Sequence, residues 1–244
     1  MNQLRVADVY KNIYLKGKNM LAEKMAELKH RLIEYATLVE GMINKSIKGL
    51  LEKDENLLED VIDREEPKAN NYDREIDETC TALIAQFEPL AKDLRTVVMI
   101  LKMNKDLERV ADHAVNISES GLFLIVRPLV KPLDDIRDMA RTASLMLKDS
   151  IDAFVHENAA LARDVCDRDE IVDQIEDKIL EDMANFIREK RDGIRRSLHL
   201  MRVANNLERV ADISTNICEE VIYIVEGKDI KHHKGDSPDS ATGI

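Results

Sequence analysis

The 244-residue chain contains no tryptophan, and its 8 glycines, 5 prolines and 4% aromatic residues are low counts. Because residues that break helices are scarce, the composition favours α-helix. It disfavours a β-sandwich or barrel, since those folds need many turns and strands rich in β-branched or aromatic residues. The longest aliphatic or aromatic run, 122–126, is far below the roughly 20 residues that span a bilayer. No membrane insertion is therefore expected.

Cysteine is also scarce, and basic residues are fewer than acidic ones. Cys80, Cys166 and Cys218 lie far apart and form no CxxC pair, which predicts free thiols in a reducing compartment. The first residues contain no apolar signal core, so we expect a cytoplasmic protein. The formal net charge of −12 disfavours nucleic acid as a partner, because a strongly acidic chain repels phosphate.

Apolar residues, in contrast, are plentiful and recur in steps of three and four, which predicts an all-α protein. Six helices are expected, over about 18–53, 55–87, 91–126, 136–154, 158–192 and 194–226. The second helix should kink near Pro67, because an interior proline removes one backbone hydrogen bond. Gly193 and Gly227 are expected to end the fifth and sixth helices.

Two prolines, Pro128 and Pro132, bracket a short polar segment near the middle of the chain and indicate a boundary there. The predicted organisation is an N-terminal arm, two three-helix units and a disordered tail, over 1–17, 18–128, 129–227 and 228–244 respectively. The tail prediction rests on its Gly, Ser, Pro and mixed charge.

The second unit repeats the first. A shift of 100 residues places 107–112 on 207–212, six identical residues in a row. The second and fifth helices align at a shift of 104 up to Arg64 and of 103 from Glu66 onward, so that one residue slips beside Pro67, where a kink could absorb it. Three helices followed by three related helices predict two tandem bundles.

Oxygen-bearing side chains recur within this repeat. Glu108, Asp112 and Asn116 are spaced by four residues, which places them on one stripe of a helix beside its apolar face. The second repeat has the same stripe, consisting of Glu208, Asp212 and Asn216. Half-buried like charges repel each other, so each stripe needs a positive partner. Either Arg109 and Arg209 supply it, in a network shared between helices, or a hard cation does.

The helices that precede these stripes supply matching groups. Asp169 and Asp173 flank the apolar seam of the fifth helix, and Glu66 and Asn70 occupy the equivalent positions of the second. In each repeat, two rows of oxygen ligands could then face each other across a groove, so that a metal site is the alternative to the arginine network. All-oxygen ligation suits magnesium, manganese, calcium or ferric iron better than copper or structural zinc. Iron, manganese, magnesium and zinc all stay open as the cation, bound singly or in a multinuclear site.

Motifs for catalysis are missing. A di-iron bundle needs two ExxH motifs and two further glutamates, whereas only Glu27 and His30 form such a motif here. The chain contains no glycine-rich phosphate loop, no GxSxG and no plausible Cys–His pair. We therefore expect a protein that is not an enzyme. A metal-storage bundle and a purely structural helical scaffold remain open alternatives.

Residues 86–95 and 107–117 resemble the PhoU family of phosphate-transport regulators, and 207–216 and 169–176 resemble its second repeat. The similarity covers roughly 18–226. It implies two three-helix bundles related by a pseudo-twofold axis, with carboxylate-rich metal clusters on their surface. It further implies a homodimeric, non-catalytic negative regulator of phosphate uptake and of the phosphate regulon. Such a regulator couples the ATPase of a phosphate ABC transporter to a sensor histidine kinase.

The chain departs from the family pattern at Pro67, which interrupts the second helix, and at Asn70, which replaces the acid of the second repeat. The predicted metal site of the first repeat is weakened accordingly. Some members of the family serve other phosphate permeases, so the transporter could also be one of those.

Overall fold

The computed structural model describes the backbone of residues 3–227 and the side chains of 19–190 and 192–227. Its helices are α1 (Gln3–Glu52), α2 (Glu55–Asp60), α3 (Glu66–Phe87), α4 (Lys92–Ile125), α5 (Asp134–Val155), α6 (Ala159–Glu189) and α7 (Ile194–Glu226). Because α2 and α3 are continuous through a π turn, they count as one long helix, and the six-helix prediction is confirmed. Helix α1 runs through much of the expected N-terminal arm. The expected tail, 228–244, lies outside the described residues.

The π turn, Val61–Glu65, marks the place where the two repeats differ in length. A π turn holds one more residue than an α turn, so it accommodates the residue by which the first repeat is longer. Pro67 follows the π turn as the second residue of α3. Lys45 Nζ holds the turn by bonding Asp60 Oδ2 at 2.6 Å and Glu65 Oε1. The expected kink near Pro67 is thus a π turn that ends just before the proline.

The helix ends are set by local chemistry. Asp54 caps α2, because its carboxylate accepts hydrogen bonds from two backbone N–H groups of the first turn. Gly227 ends α7 in the left-handed region, with φ of 68°, as predicted. The prediction for Gly193 is wrong, since α6 ends at Glu189 and Gly193 precedes α7. A Cβ on Gly193 would lie 2.1 Å from the ring of Phe186, so glycine is required there for space.

Two bundles share one interface. Helices α1 to α4 form the first bundle and α5 to α7 the second, and α4 packs on α7 while α1 packs on α5. Ser46 and Ser150, 104 residues apart, each donate to the carbonyl three residues earlier, at 2.8 and 2.7 Å. The first and fourth predicted helices therefore also correspond, although their sequences match weakly. No helix in the described part of the chain has the length and apolar character to cross a membrane.

The contact between α4 and α7 relates the two repeats. His113 Nδ1 lies 2.8 Å from Asn206 Oδ1, and Lys102 Nζ donates to Glu220 at 2.9 Å. At the other end, the ring of Phe123 stacks on a residue near the start of α7. As the residue number rises along α4, the number of its contact on α7 falls, so that the two numbers have nearly the same sum in each pair. The two helices therefore run antiparallel. We call this contact the α4–α7 seam.

Two glycines of α1 give a test of this packing. A Cβ on Gly49 would lie 2.8 Å from Leu58 and 3.1 Å from the Asp54 carbonyl, whereas a Cβ on Gly41 meets nothing within 4 Å. We expect Gly49→Ala to lower the free energy of unfolding by about 1–3 kcal/mol through overpacking. Gly41→Ala should raise it by about 0.5–1 kcal/mol, because alanine favours helix. Urea melts of both variants check this, and equal effects would contradict the packing described.

Candidate functional site

The first repeat brings three carboxylates together where α3 faces α4. This first acid cluster consists of Asp73, Glu108 and Asp112. Burial raises the pKa of Glu108, and the charges of Asp112 and Asp73 raise that pKa further. Asn104 donates to the Asp73 backbone carbonyl at 2.9 Å and to its Oδ1 at 2.8 Å, and Lys105 Nζ lies 3.0 Å from the same Oδ1. One lysine thus supplies part of the positive charge that this cluster needs.

A buried tyrosine completes the first acid cluster from the side of α1. Tyr35 is fully buried and stacks on Tyr72 at 5.5 Å between ring centroids. Its hydroxyl has no hydrogen-bond partner. Burial raises the pKa of Tyr35, and the charges of all three carboxylates of the cluster add to this effect. The buried hydroxyl is therefore close enough to these carboxylates for their charges to affect its ionisation.

The second repeat has an equivalent group where α6 faces α7. This second acid cluster consists of Glu176, Glu208 and Asp212. Burial raises the pKa of Glu208 to about 7, with further contributions from the charges of Asp212 and Glu176 and from a hydrogen bond to Asp212. Burial likewise raises the pKa of Glu176. A carboxyl whose pKa is raised holds its proton more readily, as it does when too little positive charge lies nearby. The second acid cluster is therefore short of positive charge.

Glu208 also carries an unsatisfied oxygen. Its Oε2 is buried and accepts no hydrogen bond. Arg209 Nε lies 3.5 Å from that oxygen, and Arg209 Nη1 lies 3.4 Å from Asp212 Oδ2. These separations are within ion-pair range but too long for strong hydrogen bonds. The arginine therefore compensates the second acid cluster only partly.

Glu66 and Asn70 lie on α3, which packs against α4, the helix that carries Glu108 and Asp112. Asp73 opposes Lys105, and the helices run antiparallel, so the register places Glu66 nearly level with Asp112. Seven residues separate Glu66 from Asp73, or about two helical turns, so both lie on one face of α3. Asn70 is exposed, and its backbone carbonyl accepts from Arg74 at 3.3 Å.

The remaining predicted ligands occupy varied positions. Asp173 is exposed on α6, and its charge raises the pKa of Glu176, whereas Asp169 is half-buried one turn earlier. The Asn116 side chain accepts from Arg202 across the α4–α7 seam, and Asn216 is exposed. The structure thus groups Glu108 with Asp112 and Glu208 with Asp212, whereas Asn116 is held by Arg202 and Asn216 is exposed.

Within the described part of the chain, no three His, Cys, Asp or Glu side chains already converge as a metal site would require. A cation at either acid cluster would therefore need rotation of side chains. Asp112 and Asp173 are exposed and Asp212 is half-buried at the surface, so they have space to turn. The glutamates of α4 and α7, Glu108 and Glu208, are half-buried.

Sequence reasoning missed Asp73, Glu176 and Tyr35. Asp73 aligns with Glu176 at the shift of 103, so an acid recurs at the same point of both repeats, and that recurrence was a usable signal. This recurrence is harder to recognise because the alignment of the two repeats slips by one residue just upstream. Tyr35 carries no such signal, because Met139 stands at the equivalent position of α5 at the shift of 104.

Comparisons with known proteins agree with the two-repeat helical fold. The family model described as the PhoU domain matches twice, over residues 32–121 and 136–221. The phosphate-specific transport system accessory protein PhoU homolog 2 of Thermotoga maritima is 33% identical over 212 residues, which are 87% of this chain and 90% of that protein. A homolog from Aquifex aeolicus is 32% identical, covering 87% and 96%. The crystal structure of PhoU from Pseudomonas aeruginosa superimposes with a TM-score of 0.82 at 28% identity, covering 85% and 99%.

The raised pKa of Glu208 predicts a pH dependence for metal-free protein. The folded state keeps a proton up to about pH 7, whereas an unfolded glutamate releases it near 4.3. The contribution of Glu208 to stability is therefore fully present below about pH 4 and is lost as pH rises from there through 7, by up to about 3 kcal/mol. Glu208→Gln removes this loss. In chelator-treated samples, urea melts should show the variant to be more stable than wild type at pH 8, with a much smaller difference at pH 5. An equal difference at both pH values would contradict the assignment.

Proposed function

Because the chain belongs to the PhoU family, we propose that it is an accessory regulator of phosphate transport that acts without catalytic turnover. The observation that carries this proposal is the double match of the family model, which covers most of both repeats. Its curated relatives are named as accessory proteins of phosphate-specific transport systems. The finer parts of the proposal are negative regulation of phosphate uptake, coupling of the transporter ATPase to a sensor histidine kinase, a homodimer and a cytoplasmic location.

In this proposal, each acid cluster holds a metal cation. Two orphaned buried oxygens, Tyr35 Oη and Glu208 Oε2, support it, because unpaired buried polar atoms are costly unless a partner arrives. The donors on both sides are oxygen atoms, which suit a hard cation. The cation would supply positive charge and so remove the repulsion among the carboxylates.

The two repeats differ in what a cation must displace in order to bind. In the first acid cluster Lys105 already bonds Asp73, so a cation must displace or share that lysine. In the second, Glu208 keeps a proton near neutral pH, so a cation must displace that proton. Proton displacement is easier above pH 7, and we therefore propose that the second repeat binds metal more tightly.

Metal binding has a structural role in this account. Glu176 and Asp173 belong to α6, and Glu208 and Asp212 to α7. Ligands from both helices would fix the relative position of α6 and α7, as Asp73 and Glu108 would fix α3 and α4. A partner protein would then contact a surface whose shape depends on the metal.

Metal removal and return test the proposal. Protein dialysed against a chelator should gain stability on addition of Mn²⁺. At a free Mn²⁺ concentration of about 100 times Kd, linkage stabilises the fold by about 2.7 kcal/mol, or roughly 5–10 °C in Tm. The double variant Glu208→Gln with Asp212→Asn should lose most of this shift, and elemental analysis should show less bound metal per chain.

The matched control is Asp138→Asn, which removes an exposed acid of α5 far from both clusters in sequence. It should keep the full shift and the full metal content. Loss of the shift in the control, or its retention in the double variant, would count against binding at the second acid cluster. No shift with Mn²⁺, Mg²⁺ or Fe³⁺ would end the metal proposal.

Regulation needs a separate test in cells. A strain that lacks the gene should express a phosphate-starvation-induced phosphatase even in abundant phosphate, because the restraint on the kinase is lost. Reporter activity measured with and without the gene checks this. Unchanged expression at high phosphate would contradict the regulatory proposal while leaving metal binding intact.

A further inference from the structure

The starts of α4 and α7 expose matched pairs of apolar side chains. On α4, Leu94 is 37% and Val98 is 40% exposed, and on α7, Ile194 is 38% and Leu198 is 54% exposed. The two pairs are equivalent at the shift of 100 residues that superimposes the repeats. A single exposed apolar residue is ordinary, but the same exposed pair in both repeats requires an explanation other than chance.

An arginine accompanies each pair. Arg95 follows Leu94 and Arg195 follows Ile194, and both are exposed. Neither forms an ion pair with any carboxylate among the described residues. Arg195 instead lies over the Phe123 ring, 5.3 Å from its centroid. We call these surfaces the α4 patch (Leu94, Arg95, Val98) and the α7 patch (Ile194, Arg195, Leu198).

The geometry of the α4–α7 seam fixes how the patches are arranged. A twofold axis that exchanges two adjacent antiparallel helices runs perpendicular to the plane that contains both. Equivalent residues therefore face the same side of the molecule. The seam pairs residues whose numbers sum to about 320, so the start of α4 lies beside the end of α7. At 1.5 Å per residue, the two patches are about 40 Å apart.

Each patch has the composition of a small binding site. Arginine is enriched and lysine depleted at protein interfaces, and the apolar side chains beside each arginine add area that a partner can bury. An unneutralised guanidinium favours a carboxylate on the partner.

We propose that the two patches bind two identical protomers of one twofold-symmetric partner protein, each of which presents an apolar segment that carries a carboxylate. The partner's twofold axis would coincide with the pseudo-twofold axis of this chain, because homo-oligomers with closed symmetry repeat every surface about their axis. One chain of this protein would therefore bind one partner dimer.

A second copy of this chain fits the patches poorly. In a self-contact that places one patch directly on another, the guanidinium groups of Arg95 and Arg195 would be brought close together. Two guanidinium groups without a carboxylate between them repel each other. Charge complementarity therefore favours a different protein that supplies the acid.

Photocrosslinking tests the proposal with the full-length chain expressed in cells. The photoreactive residue p-benzoyl-L-phenylalanine replaces Val98 in one variant, Leu198 in a second and both in a third. We expect the same polypeptide to be captured from either position. The third variant should yield a product whose mass equals one chain plus two copies of that polypeptide. Adding Arg95→Glu and Arg195→Glu should lower the crosslinking yield at least tenfold.

The control places the same photoreactive residue at Ile171, which is 49% exposed on α6 and has Lys68 as its equivalent in the first repeat. It should not capture the polypeptide. Capture of different polypeptides from the two patches, capture from one patch only, capture of another copy of this chain, equal capture at Ile171 or no capture would each overturn the proposal.

The identity of the captured polypeptide separates this inference from the proposed function. If the polypeptide is the ATPase of a phosphate transporter, both proposals are supported. If a protein other than this ATPase or a sensor histidine kinase is captured twice, the symmetric docking stands and the proposed function fails. If the ATPase is captured from one patch alone, the transporter proposal stands and the symmetric docking fails.

Discussion

Repulsion between half-buried carboxylates is the constraint on which the rest of the structure depends. Glu108 and Glu208 are held against other acids at the helix contacts of their bundles, and in both cases burial raises the pKa of the carboxyl. The two repeats relieve the repulsion differently. The first uses Lys105, which bonds Asp73, whereas the second has an asparagine at that position and keeps a proton on Glu208 instead. Each repeat thus holds a group of acids whose negative charge is only partly compensated.

The α4–α7 seam relates the two acid clusters to each other by symmetry. It relates the two stripes by a local twofold, with His113 and Asn206 in hydrogen-bond contact near its middle. Desolvation lowers the pKa of His113, so a neutral imidazole occupies this position at neutral pH. Arg202 crosses the same seam to Asn116 and Glu119. The polar groups of the seam therefore bond to one another and hold the repeats together. The carboxylates of the two acid clusters, on either side of the seam, remain available for a cation.

Much of this was accessible from the sequence. Apolar periodicity gave the helices, and the six identical residues at 107–112 and 207–212 gave the repeat, because internal duplication preserves both packing and chemistry. The one-residue slip predicted an irregularity near Pro67, and the π turn supplied it. What the sequence could not give is which side chains meet across helices. Asn116 was assigned to the acid stripe by spacing alone, yet Arg202, 86 residues away, holds it. Asp73 and Tyr35 join the first acid cluster through tertiary contacts that no local pattern encodes.

The central claim is that each repeat uses its acid cluster to hold a cation. Anomalous diffraction from crystals grown with Mn²⁺, recorded near the manganese absorption edge, tests it most directly. The account predicts two principal peaks per chain, one within ligand distance of Glu108 and one within ligand distance of Glu208, with the second more fully occupied. Peaks absent from both glutamates, or found only at other surface carboxylates, would contradict it.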